Sequence, residues 1–302
     1  MKEKVHIIEE STGQIHEPAL SLKRLLHELQ YPAPIQKAVK EKLSKSDIAE
    51  IADTAYSGEA FDYPLCRRMP LTRLAVLTWM LRKKYGEYRN LGVSDDIIFE
   101  TFRDVTLRAT LYYQKTGKPG ISKEDVIWFR HIMNLSIFKV GVLQFQPFEM
   151  IYLDEETIGE PYMTFSGEQK RLLPNGAPVI NCHVQRNADL SLDRVTASMQ
   201  EAKNLFLRIF PEKRFQAFLC YSWLLYPQMA RALSSESKIK QFYRLFEIVG
   251  ACHDPAQAIE NLFADGKRKE RSQMSSLQKM AIEHPDRFGL ACGIIKWDHV
   301  IP

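Results

Sequence analysis

The sequence contains no apolar run long enough to cross a bilayer, and its opening residues, MKEKVHIIEESTGQIHE, lack the apolar core of a signal peptide. Those absences point away from membrane insertion and secretion, and the expectation is a cytoplasmic protein with no membrane partner. Cysteine is scarce: Cys66, Cys182, Cys220, Cys252 and Cys292 are five in number, far apart and never arranged as Cys-x-x-Cys. That spacing excludes a disulfide framework and a structural zinc site, so free thiols and no metal are expected. Charge of one sign is lacking too, because 41 Lys and Arg against 37 Asp and Glu leave a net +4. An excess this small gives no reason to expect a nucleic-acid partner. Internal repeats and low-complexity tracts are missing as well, which removes solenoids and long disordered linkers from consideration.

What is present is the composition of a globular chain. Its 302 residues are 45% hydrophobic and 26% charged, enough for one large domain or two ordinary ones. The first part carries apolar residues at three- and four-residue spacing over 21–30, 35–43, 46–56, 71–85 and 94–116, with Pro or Gly between several of them. This predicts packed helices, and Ser122 followed by Asp125 opens another with a capped start. After Asn134 the texture changes to short apolar pieces: IFKVGVLQF, PFEMIYL, PVINCHV, FQAFLCYSWLL and FGLACGIIKW. These have the length and content of strands. The predicted class is α+β, with a helical bundle over residues 1–134 and a mixed, largely antiparallel sheet with flanking helices over 135–302. Residues 154–178, rich in Gly, Glu and Pro, read as a long hairpin or mobile loop able to cover a site.

Residues 179–227 carry the chemistry. Ile180, Cys182 and Val184 alternate with Asn181, His183 and Gln185, a period of two that puts apolar side chains on one strand face and polar ones on the other. Ser191 is placed to cap the next helix, Asp193 lies in its first turn, and Val195, Met199, Ala202, Phe206 and Ile209 form its apolar stripe. A helix start after a strand offers free N–H groups to a phosphate, with Gln185, Arg186, Asn187, Ala188, Ser191 and Leu192 lining it. Arg186 adds a charged donor, and Asn187 tolerates a left-handed backbone. The next strand, predicted over 215–225, carries Cys220 and Ser222. Pairing of the two strands makes a Ser-His or Cys-His couple with His183 conceivable, although no glycine-flanked nucleophile elbow surrounds Ser222.

Trp128 and Trp223 read as packing residues. The run Lys267-Arg268-Lys269-Glu270-Arg271 reads as a solvated helix face or an anion contact, and Cys252-His253-Asp254 lacks metal-ligand spacing.

The strings VINCHVQ, AKNLFLRIFP, FLCYSWLLYP, SKIKQFYRLFEI and GLACGIIKW, with GISKEDVIWFRHIMNLSIFKVGVLQF before them, resemble bacterial acyltransferase-domain proteins. Those proteins join a helical N-terminal domain to a GNAT-like C-terminal domain. The resemblance implies acyl transfer from acetyl-CoA or another acyl-CoA to a small-molecule or peptide amine acceptor by direct attack. It further implies that residues 185–192 hold the pyrophosphate, that His183 serves as base, and that Tyr243 or Tyr226 protonates the leaving thiolate. The phosphate loop departs from the superfamily pattern: Gln185-Arg186-Asn187-Ala188-Asp189-Leu190 lacks both expected glycines and brings a carboxylate instead. That departure motivates an alternative, a noncatalytic ligand- or protein-binding module on the same scaffold, and Cys220 motivates a third reading as a thiol hydrolase.

Overall fold

The computed structural model describes residues 20–45, 47–59, 61–264 and 270–299. The N-terminal segment and Lys267, Arg268 and Lys269 lie outside the described residues.

Among the described residues the first half forms the α-helices α1 (Leu22–Leu29), α2 (Ala33–Leu43), α3 (Asp47–Thr54), α4 (Pro70–Asn90), α5 (Asp95–Thr116) and α6 (Lys123–Met133). Their starts follow from the sequence. Ser21 Oγ accepts the Arg24 N–H at 3.2 Å, and Ser122 and Asp125 form a reciprocal capping box on α6. Each such cap contributes about 1 kcal/mol. α5 opens on Asp95 and Asp96, where the helix dipole favours negative charge, and ends on left-handed Gly117.

The second half runs β1 (Phe138–Val140), β2 (Leu143–Glu149), α7 (Glu155–Ile158), α8 (Gly167–Leu172), β3 (Pro178–His183), α9 (Leu192–Ile209), β4 (Ala217–Ser222), α10 (Pro227–Ala232), α11 (Lys238–Tyr243), β5 (Glu247–Cys252), α12 (Ala256–Leu262), α13 (Ser276–Glu283) and β6 (Leu290–Lys296). The strands form one sheet in the order β1-β2-β3-β4-β6-β5. Every neighbouring pair is antiparallel except β3 and β4, which α9 connects as a parallel crossover. The stripe on α9 is buried as its spacing predicts, at Val195, Met199, Ala202 and Phe206.

Several predicted strands change on folding. The piece 137–145 is a hairpin, because Gly141 takes φ 57° and turns the chain between Val140 and Leu143. A Cβ at Gly141 would also meet Ser198 of α9 at 3.1 Å. The strand predicted over 215–225 ends at Ser222, where the Ser222 hydroxyl accepts the Leu224 N–H at 3.2 Å and starts a tight turn. Strand β5 is not among the strand-like pieces read from the sequence.

Residues 154–178 are neither a hairpin nor a cover for the site. They form α7 and α8, and Met163 and Leu173 join Met150 and Tyr152 in a core against Val179, Ala217, Leu219 and Ile294. The opposite sheet face packs on α9 and on the N-terminal helices through a second, larger core. There α5 lies along β1, with the Lys139 N–H donating to Thr101 Oγ1 at 2.8 Å, and Tyr88 of α4 donates its hydroxyl to the Ile137 carbonyl at 2.9 Å. Phe138 completes the seam, edge-on to the rings of both Tyr88 and Phe206. That docking carries the polar side of α5 to the end of the sheet where β3 and β4 separate. Among the described residues no helix is long and apolar enough to cross a membrane.

Candidate active site

The parallel ladder between β3 and β4 has only three rungs and stops at Asn181 opposite Leu219. Beyond it β3 stays bonded to β2 as far as His183, and β4 stays bonded to β6 as far as Ser222. Each strand is held by its outer neighbour, so the two part. The gap exposes their inward backbone groups to a cavity of about 370 Å3. Cys182 to Arg186 line it on one side and Cys220 to Leu224 on the other, with Asp104 and Arg108 of α5, Trp128 of α6 and Gln144 of β2 at its end. A second cavity of about 430 Å3 shares Val184, Gln185, Arg186, Trp223 and Leu224 with the first and extends along Asn187, Ala188 and Leu190 toward α11 and α13. Together they make one channel running from the domain seam past the 184–190 loop.

His183 is held in one orientation. Its Nε2 lies 3.0 Å from Gln146 Oε1, and Gln146 Nε2 lies 3.2 Å from Nδ1 of His131. An amide oxygen only accepts and an amide nitrogen only donates, so His183 carries its proton on Nε2 and keeps the Nδ1 lone pair free. The rings of His131 and His183 both meet Trp128 edge-on, at 5.2 and 5.1 Å. Burial, then the proximity of His131 and Arg108, lowers the His183 pKa to about 3. Burial and Arg130 lower that of His131 to about 4. Both rings are therefore neutral near pH 7.

Trp128 also meets Asp104, which is 2% exposed. Its Oδ2 accepts from Trp128 Nε1 at 2.8 Å and from Gln144 Nε2 at 3.2 Å. Arg108, one turn later on α5, stacks on the Trp128 ring, donates Nη1 to Asp125 at 3.0 Å, and leaves Nε 3.6 Å from Asp104 Oδ1. Lys139 stands close enough to Asp104 to feel its charge, and burial lowers the lysine pKa to about 8.

The 184–190 loop has the backbone expected of it. Asn187 takes φ 64°, and the Ala188 N–H closes a turn onto the Gln185 carbonyl at 3.2 Å. Arg186 lines both cavities, and its Nη1 is buried without a hydrogen-bond partner. Asp189 departs most from an open phosphate loop. Its carboxylate accepts the Ser191 N–H at 3.2 Å and pairs with Lys238 Nζ at 2.7 Å, which holds its pKa below the usual range.

The structure thus gathers His183, Gln185, Arg186, Asn187, Ala188 and Ser222 around the channel. Ser191 sits at the N-cap of α9 without a side-chain cap bond, and Leu192 is 45% exposed; neither lines a cavity. Tyr226 is buried against the backbone of Gly289, and Tyr243 packs half-buried at the end of α11. Both tyrosines also stand outside the two cavities. Among the described residues no hydrogen bond joins His183 to Ser222 or Cys220, and burial pushes the Cys220 thiol well above its ordinary pKa. Among the described residues no three His, Cys, Asp or Glu side chains gather where they could hold a metal ion, and next to Cys252 and His253 the Asp254 carboxylate accepts the Tyr162 hydroxyl.

Sequence reading missed Asp104, Arg108, Gln144, Gln146 and His131. The available signal was Asp104 itself, a carboxylate set between Phe102 and Val105 on the apolar stripe of a long helix.

The GNAT-like C-terminal domain family matches residues 137–294, and the N-acyltransferase N-terminal domain family matches residues 20–135. No curated protein matches the chain. Among solved structures, an acyltransferase in complex with decanoyl-CoA and teicoplanin superposes with a TM-score of 0.68 at 17% identity, over 93% of this chain and 91% of that one. A mutant acyltransferase in complex with octanoyl-CoA gives a TM-score of 0.68 at 17% identity, over 91% of this chain and 87% of that one. With more than half its length matched by the second domain family and most of the remainder by the first, the chain belongs to the acyltransferase family that joins an N-acyltransferase N-terminal domain to a GNAT-like C-terminal domain.

Proposed function

We propose that the protein transfers an acyl group from an acyl-CoA thioester to an amine by direct attack, with no acyl-enzyme. The observation that carries this reading is the splay after Asn181 and Leu219, which opens unpaired strand backbone to a channel leading past Arg186. A pantetheine arm is an extended chain of amides and suits that slot. The partnerless Nη1 of Arg186 suits an oxygen of the pyrophosphate, and left-handed Asn187 does part of the work of a missing glycine. The solved relatives that hold decanoyl-CoA and octanoyl-CoA on this fold support the donor class.

In this reading the amine nitrogen attacks the thioester carbonyl carbon. As the new C–N bond forms, the nitrogen becomes cationic and strongly acidic, and His183 Nδ1 takes its proton. A base of such low pKa suits that intermediate and not a free ammonium ion. The C–S bond then breaks with its electron pair passing to sulfur. The Ser222 hydroxyl lines the cavity, and among the described residues its proton has no acceptor, so it is placed to stabilise the thiolate. This role replaces Tyr226 and Tyr243, which stand outside the channel.

One observation favours the noncatalytic reading: Asp189 already sets a carboxylate on the Ser191 N–H and Lys238. Calorimetry with octanoyl-CoA followed by an assay of amine-dependent thiol release separates the two. Binding with turnover supports the transferase, binding without turnover for any primary amine supports the module, and no binding overturns both.

A further inference from the structure

Asp104 is the strangest group in the channel. Its side chain is 1% exposed, yet only Oδ2 is hydrogen-bonded. Oδ1 is buried without a hydrogen-bond partner, and so is Nε of Arg108 beside it. The two face each other as a loose ion pair at 3.6 Å, too long for a hydrogen bond, so each keeps its charge partner but has no hydrogen bond of its own. Two such groups on adjacent turns of one helix, both lining one cavity, are the signature of a site completed by something that arrives.

The surroundings narrow what arrives. Arg108 is shared between Asp104 and Asp125, and Lys139 stands behind, so the cluster has no large net charge to attract a phosphate or a dication. Oδ1 and Nε are 3.6 Å apart. A ligand satisfying both must present a donor and an acceptor at a similar separation, about 3 Å. An amine and an oxygen on neighbouring carbons meet that demand in their gauche form. Trp128 joins this site to the reaction centre, since its indole N–H bonds Asp104 and its ring lies 5.1 Å from His183.

We propose that Asp104 and Arg108 hold the acyl acceptor, Oδ1 accepting from its primary amine and Nε donating to an oxygen on the adjacent carbon, so that the acceptor class is a 1,2-amino alcohol or an α-amino carbonyl compound. The inference rests on the acyltransferase reading and adds the acceptor to it. The N-terminal domain is then the acceptor side of the enzyme and the 184–190 loop the donor side. Asp104 moves no proton; it aims the nitrogen lone pair while His183 takes the proton.

The test uses the full chain, octanoyl-CoA, and 2-aminoethanol and propylamine as probe acceptors. Calorimetry gives the octanoyl-CoA affinity, and thiol release gives KM and kcat for each amine. Wild type is expected to saturate with 2-aminoethanol at a KM at least fivefold below that for propylamine. Asp104→Asn is expected to keep its octanoyl-CoA affinity within twofold, raise the 2-aminoethanol KM at least tenfold, and erase the preference between the amines. Unchanged octanoyl-CoA binding also shows that the variant is folded; if Asp104→Asn fails that check, Asp104→Ser replaces it. Equal KM values for the two amines in wild type, an unaltered KM in the variant, or thiol release that never depends on amine while octanoyl-CoA still binds would each overturn the assignment. Failure of wild type to bind octanoyl-CoA would instead remove the donor reading beneath it.

Discussion

Nε2 of His183 lies 3.0 Å from Oε1 of Gln146. That one contact fixes the imidazole tautomer, because the same carboxamide gives its N–H to His131 and cannot turn round without opposing two donors. Replacing Gln146 by Leu releases the ring, and amine-dependent kcat is expected to fall about tenfold while octanoyl-CoA affinity stays put. Replacing it by Glu sets a carboxylate against the ring and raises the His183 pKa. The rate of Gln146→Glu should then acquire an acid limb that wild type lacks, read from kcat against pH between 5 and 8.

Both neutral histidines make the fold acid-sensitive. The unfolded chain protonates each imidazole below about 6.5, whereas the folded chain waits until about 3 at His183 and about 4 at His131. Between those limits the unfolded state holds more protons, so stability falls as pH falls through that window. The slope approaches about 1.4 kcal/mol per pH unit for each histidine. Urea unfolding at pH 7, 6 and 5 should show the loss, and His131→Gln should flatten it by close to one proton.

How far the sequence could be read follows from the range of the interactions involved. Helices α1 to α6, the apolar stripe of α9 and the left-handed Asn187 rest on period, caps and local backbone preference, all of which lie within a few residues. His183 was legible because strand alternation sets it on the polar face. Gln146 and His131 were not, since their meaning arises only when β2 pairs with β3 in the register Gln146 opposite Asn181 and α6 packs against them. Residues 154–178 misled for a related reason: Met163 and Leu173 look like isolated apolar residues in a polar stretch until the far face of the sheet is there to bury them.

Cys220 tests the rejected hydrolase directly. The residue is 1% exposed, and burial holds its thiol protonated. It faces the same core as Cys182 and acts as a small apolar residue. Cys220→Ala is expected to keep octanoyl transfer within twofold of wild type and to cost about 1 kcal/mol of stability. Loss of more than tenfold in kcat, with unfolding unchanged, would restore the thiol to the chemistry.

In the proposed reading the 184–190 loop sets the donor affinity. Asn187 at φ 64° is tolerable for an amide side chain and poor for a branched one. Asn187→Gly should leave stability within about 0.5 kcal/mol, while Asn187→Val should cost about 1 to 2 kcal/mol and weaken octanoyl-CoA binding in proportion.

Asp189 acts on the same affinity through charge. Its carboxylate occupies the Ser191 N–H and Lys238, two groups that a pyrophosphate bound along this loop would use, and it adds a negative charge beside an anionic ligand. Both effects oppose the donor. Asp189→Asn keeps the shape and an acceptor oxygen for Ser191, removes the charge, and frees Lys238. Octanoyl-CoA should bind about threefold tighter or better in 50 mM salt, and the gain should shrink as salt rises, because exposed charges are screened beyond about 10 Å at 0.1 M. Lys238→Ala should move affinity the other way in the Asp189→Asn background and barely at all in wild type, where the ion pair already holds the lysine. Equal effects of Lys238→Ala in both backgrounds, measured by calorimetry, would show that the Asp189 and Lys238 pair has no part in receiving the donor.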